Sequence, residues 1–104
     1  MMKKIRLTLI IFLFLNFANL LFAENNFFEE GKKSYNEKNY KESKFLFQRS
    51  IVFNPKDTNS YLYLAKIYNF EDNREEEEKN INTALLLDPK NEEAMYMLME
   101  IELK

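Results

Sequence analysis

Two proline tetrads, Asn54-Pro55-Lys56-Asp57 and Asp88-Pro89-Lys90-Asn91, stand 34 residues apart in a chain of 104. A fixed period of this length is what stacked supersecondary units leave in a sequence, because each unit must offer the same packing positions to the next. Laid over each other, residues 24–57 and 58–91 share seven identities: Asn25/Asn59, Lys32/Lys66, Glu37/Glu71, Asn39/Asn73, Glu42/Glu76, Pro55/Pro89 and Lys56/Lys90. Other positions agree in size and character. Phe27 lies over Tyr61, Gly31 over Ala65, Phe47 over Ile81, Ser50 over Ala84 and Ile51 over Leu85.

Within each unit the apolar spacing is helical. Tyr61, Leu64, Ala65 and Tyr68 fall at i, i+3, i+4 and i+7, which lines one face of a helix. Each proline sits between units, where its missing N–H removes no helical hydrogen bond and its ring keeps the preceding residue out of the α region. Asp57 and Asn91 stand where a side-chain oxygen caps the helix that follows. Asn73 does the same inside the second unit, with Glu75 and Glu76 in a first turn that the helix dipole favours. The spacing predicts five helices near residues 26–36, 40–53, 58–69, 74–87 and 92–103, in antiparallel pairs. Phe27, Phe47, Tyr61 and Tyr68 are the expected aromatic core.

These positions resemble the tetratricopeptide repeat family over residues 24–104. In the first unit Phe27 fits the family's aromatic position, Gly31 its small one, Tyr40 the aromatic that opens the second helix, Ser43 and Ser50 small positions there, Phe47 the aromatic between them, and Pro55 the closing turn. In the second unit Tyr61, Leu64, Ala65, Tyr68, Ile81, Ala84 and Pro89 match, and Met95, Leu98 and Met99 begin a third unit in register. The resemblance implies an all-α helix-turn-helix repeat solenoid, a right-handed superhelix with a concave groove. Repeat 1 covers 24–57, repeat 2 covers 58–91, and 92–104 is a terminal helix, a partial repeat 3.

From the first helix of each unit the resemblance implies groove positions that bind a protein or peptide partner: Phe28, Lys32, Tyr35 and Asn36, then Leu62, Lys66, Asn69 and Phe70. Lys32 and Lys66 lie one repeat apart on the same face, and two ammonium groups in a groove suit a carboxylate or an acidic side chain of an extended peptide. The family's variant that clamps a C-terminal carboxylate draws on basic residues of a third unit, where this chain has Glu93 and Glu100.

Four positions depart from the pattern. Glu30, Ser34, Arg74 and Glu77 stand where the family carries Leu, Tyr, an aromatic and Ala. Burying Glu77 unpaired costs on the order of several kcal/mol, so the turn that holds it is expected to splay outward and leave residues 72–80 mobile. The terminal helix departs differently, adding Ala94, Tyr96, Met97, Ile101 and Leu103 to the in-register Met95, Leu98 and Met99. An end helix that is apolar on more than one side calls for a neighbour. Such a neighbour is a second copy meeting Tyr96, Met97 and Ile101, a partner protein, or more of the same array.

Residues 1–23 belong to another class of segment. Lys3, Lys4 and Arg6 precede an apolar run from Leu7 to Phe22, and Ala23 stands before the polar Glu24. This is the pattern of a secretory signal peptide cleaved after Ala23, which makes the protein exported, periplasmic or secreted. Kept in place, the same segment is a membrane anchor over residues 5–22. Its run of 16 residues includes Asn16 and Asn19 and falls short of the ~20 apolar residues that span hydrocarbon comfortably.

The remaining 24–104 hold 12 basic and 17 acidic side chains, a net charge of −5, which argues against nucleic-acid binding and against the aromatics as a base-stacking surface. With no Cys and no His, the chain lacks disulfides, thiolate nucleophiles, the commonest metal ligand and the commonest neutral-pH base. Glu75 to Glu78 read as a solvated helix start. Consecutive helix residues point apart, and no loop with alternating oxygen ligands and a glycine bend surrounds them. For Glu29 and Glu30 nothing in the pattern predicts the partial burial that general acid–base work needs. The expectation is an exported, non-catalytic protein-interaction module with no cofactor and no metal. Its alternatives are a self-associating structural protein, dimeric through the terminal helix, and a membrane-tethered adaptor.

Overall fold

A computed structural model describes residues 8–13 and 26–104. Residues 8–13 are helical and exposed, and no described helix is long and apolar enough to cross a membrane. The expected cleavage point after Ala23, and the rest of the expected leader, lie outside the described residues. From residue 26 the chain is all-α: α1 (Phe27–Asn36), α2 (Tyr40–Phe53), α3 (Thr58–Phe70), α4 (Arg74–Leu87) and α5 (Glu92–Glu102). No strand occurs among the described residues, and each helix end lies within one residue of its expected place.

The sequence period is a period of backbone geometry. Side-chain oxygens of Asn39 and Asn73 accept from the N–H groups of Glu42 and Glu76, capping α2 and α4, and Asp57 and Asn91 cap α3 and α5 in the same way. Asn54 and Asp88, the residues before the prolines, have φ near −135° and −138°, the extended conformation that a following proline ring imposes. Their N–H groups donate to Ser50 and Ala84 carbonyls, each at 2.8 Å, and so close the preceding helices alike. Lys38 and Asp72, also one period apart, take the left-handed conformation with φ of 62° and 55° in the two intra-unit turns.

Contacts run in antiparallel order. Phe27 stacks on Phe53, the Gly31 carbonyl accepts from Ser43 Oγ at 2.8 Å, and the Tyr35 ring meets Tyr40, so α1 descends as α2 rises. Asn69 reaches Glu77 between α3 and α4, and Arg74 at the start of α4 donates to the Ile101 carbonyl near the end of α5 at 3.2 Å. Across units, Phe28 and Tyr35 of α1 meet Tyr63 of α3, while Lys66 of α3 meets Glu93 of α5. Helices α1, α3 and α5 therefore lie side by side.

Two apolar cores result. Phe47, Leu64 and Ile67 join the units, and Leu62, Ala65, Ile81, Ala84, Ala94, Met97 and Ile101 bind α3, α4 and α5 together. Of the expected aromatic core, Phe47 is fully enclosed, while Phe27, Tyr61 and Tyr68 are half-buried. Tyr61 keeps its hydroxyl at the surface, donating to the Pro55 carbonyl.

Two expectations are corrected here. Glu77 does not splay outward: α4 is regular from Arg74, and Glu77 is buried at 6 % exposure with its Oε1 accepting from Asn69 Nδ2 at 3.0 Å. The amide answers the carboxylate, and the Arg74 bond to α5 holds the first turn down, which a lone comparison with an apolar pattern misses. Helix α5, in turn, is two-faced. Met97 and Ile101 are core residues and are not free to pair copies, whereas Met95, Tyr96, Met99 and Leu103 are exposed.

Candidate functional site

The side-by-side packing of α1, α3 and α5 leaves a cleft of about 570 Å³ at the end of the face where α1 and α3 finish. Tyr35 closes α1 and Phe70 closes α3, and the two rings lie 6.5 Å apart. Each is braced by Tyr40, which stacks on Phe70 at 4.6 Å and meets Tyr35 edge-on at 5.4 Å. Opposite them α5 contributes Tyr96, exposed on the surface, with Glu93 and Glu100. Asn69 and the buried Glu77 complete the lining, so a carboxylate sits at the back of an aromatic-walled cleft.

The expected groove residues divide over this face. Tyr35, Lys66, Asn69 and Phe70 line this cleft. Phe28, Lys32, Lys66 and Leu62 border a smaller depression of about 270 Å³, and Asn36 borders a third beside Lys32. Leu62 is corrected: at 2 % exposure it is a core residue, packed with Ala65 and α5, and offers a partner almost no surface.

Both lysines of the expected acidic-peptide site already have carboxylate partners. Lys66 Nζ lies 2.5 Å from Glu93, and Lys32 Nζ lies 3.1 Å from Glu29 one turn earlier on its own helix. Each ammonium also rests over an aromatic ring, Lys66 over Tyr63 at 5.1 Å and Lys32 over Phe28 at 5.0 Å. These cations are committed within the molecule. Burial pushes the Tyr35 phenol above its ordinary range, and the nearby Lys66 charge opposes that rise.

Tyr63 was not among the expected residues, yet it meets Phe28, Tyr35 and Phe47. Its spacing to Lys66 and Phe70, i+3 and i+7, places it on their face and is the signal that finds it. Tyr96 and Glu100 are reached by adding one 34-residue period to Leu62 and Lys66, which carries the groove onto α5. Glu77 had no such signal, because its place in the pattern reads as a core position.

No group of three or more acidic side chains among the described residues is placed to hold a metal ion. No family model matches the chain, and no curated protein matches it significantly.

Proposed function

We propose that the chain is a tetratricopeptide-type repeat protein, an exported, non-catalytic module that binds a peptide or protein segment on the α1–α3–α5 face. The recurrence of caps, left-handed turn residues and pre-proline geometry at 34 residues supports the repeat assignment. The observation that carries the binding reading is the aromatic-walled cleft of about 570 Å³, open at the surface and bordered by three helices that present Tyr35, Phe70 and Tyr96. Concave, largely pre-formed sites with a few convergent polar groups are where ligands settle. Panning the full chain against a random peptide display library tests it. Recovered peptides should lose about tenfold in affinity on Phe70→Ala or Tyr96→Ala, as removal of an aromatic anchor does. Recovery of none, or binding indifferent to both changes, overturns the reading.

One observation favours a second reading. Met95, Tyr96 and Met99 on α5, with Leu103 just past its end, form an exposed apolar stripe, and Met-rich surfaces adapt to a second chain, which suits self-association. Light scattering over a concentration series decides between monomer and dimer.

A further inference from the structure

We infer that the cleft lined by Tyr35, Phe70 and Tyr96 takes a cationic side chain, an arginine or lysine of the bound segment, and not an acidic one. This rests on the interaction-module reading and assigns the chemistry of its partner.

Carboxylates outnumber cations around the cleft. Glu77, Glu93 and Glu100 line it against Lys66 and Lys104. Lys66 is consumed by Glu93 at 2.5 Å, so Glu77 and Glu100 are the acids of the cleft without an ion-pair partner among the described residues. Glu100 is exposed and is the carboxylate that an arriving cation can meet, while Glu77, at 6 % exposure and bonded by Asn69 Nδ2, holds a negative charge behind it. The field of an enclosed carboxylate is screened less by water than that of a solvated one, so Glu77 biases the cleft toward a positive ligand without having to touch it.

The walls point the same way. Tyr35, Phe70 and Tyr96 line the cleft with aromatic rings, and the two groove lysines show the chemistry at work in this molecule by resting over Phe28 and Tyr63. A guanidinium fits best: planar, weakly hydrated, able to stack on a ring while two of its N–H groups reach one carboxylate. The charge of −5 on residues 24–104 draws such a segment in.

The test uses the full chain and three blocked hexapeptides of sequence Gly-Ser-X-Phe-X-Ser with X as arginine, glutamine or glutamate. Amide shifts in two-dimensional NMR report the site. The arginine peptide should bind about tenfold tighter than the glutamine one, with its largest shifts at Phe70, Tyr96 and Glu100, and salt raised from about 20 mM to about 0.5 M should erase the difference. Glu100→Gln, an exposed change that leaves the fold intact, should weaken the arginine peptide about threefold or more, and Glu77→Gln, which keeps an acceptor for Asn69, should do the same. Equal binding of arginine and glutamine peptides, or binding that neither variant alters, overturns the assignment. Preference for the glutamate peptide in the same cleft overturns it too but leaves the module reading standing. If display selection yields peptides that need Phe70 and Tyr96 while the arginine peptide moves no cleft resonance, the cation assignment fails alone.

Discussion

The Phe47 ring lies so close to Gly31 that a Cβ added there would stand 3.0 to 3.1 Å from three of its ring atoms. Phe47 cannot yield, since it is fully enclosed, stacked on Tyr63 at 4.7 Å and met by Phe28. One period later the corresponding residues are Ala65 and Ile81, both fully buried in one core, so the methyl gained on one helix goes with a smaller residue on the other. Gly31→Ala should therefore destabilise by about 1 kcal/mol, overpacking exceeding the helix propensity that alanine brings. In a Phe47→Ile background the same change should stabilise. A double-mutant cycle from chemical denaturation reads the coupling, and additivity within about 0.5 kcal/mol would show that the two residues are independent.

That exchange also shows what the sequence could disclose. Repeated positions such as 31/65, 57/91 and 54/88 carry demands for a small side chain, a capping oxygen or a turn that similar residues meet in both units, so the helices and their turns were legible from spacing. The cleft was legible only on the side where the first helices of the units supply it: Tyr35, Asn69 and Phe70 are at the surface of that face. Leu62 was misplaced because α5 covers it, a tertiary contact that the pattern of one helix does not encode. Met97 and Ile101 were misread for the reciprocal reason, since the faces of an apolar helix are told apart only by what packs on them. Glu77 escaped because its partner Asn69 lies on another helix, eight residues away, at no characteristic spacing.

Lys38 and Asp72 hold φ of 62° and 55°, where a side chain crowds the following carbonyl. Glycine removes that cost but loses more freedom on folding, so the net gain is a fraction of either effect. Lys38→Gly should stabilise by about 0.5 kcal/mol or more, raising the melting temperature by about 2–4 °C, and Asp72→Gly should gain less because aspartate tolerates this region better than lysine. Equal gains, or a loss at position 38, would mean that the turn is not strained there.

Tyr35 titrates above the ordinary tyrosine value of 10.0 in the folded chain, chiefly because burial disfavours its phenolate. The unfolded form then gives up its proton first as pH rises. The associated stability is present below about pH 10 and is lost as pH climbs through the folded value. Tyr35→Phe should make the fall in stability as pH rises past 10.0 shallower than in the parent chain, as a group that no longer titrates must. Parallel denaturation midpoints for the two proteins across that window would contradict the burial account.

The two faces of α5 separate folding from association. Ile101 is 1 % exposed and packs with Leu62 and Ala94 in the core of α3, α4 and α5. Ile101→Lys places an ammonium there and should cost about 3 kcal/mol or more, lowering the melting temperature at every protein concentration. Met95 and Met99 are 46 % and 52 % exposed and one turn apart, so Met95→Lys with Met99→Lys should leave the melting temperature of the dilute protein within about 2 °C of the parent. If copies pair through this stripe, the parent's melting temperature falls on dilution while that of the double variant does not, because association stabilises only the folded form. Differential scanning calorimetry over a hundredfold range of concentration, roughly 2.7 kcal/mol of mass-action leverage for a single site, checks both halves. A parent whose midpoint ignores dilution removes self-association through this face, and a mild effect of Ile101→Lys would return that residue to the surface.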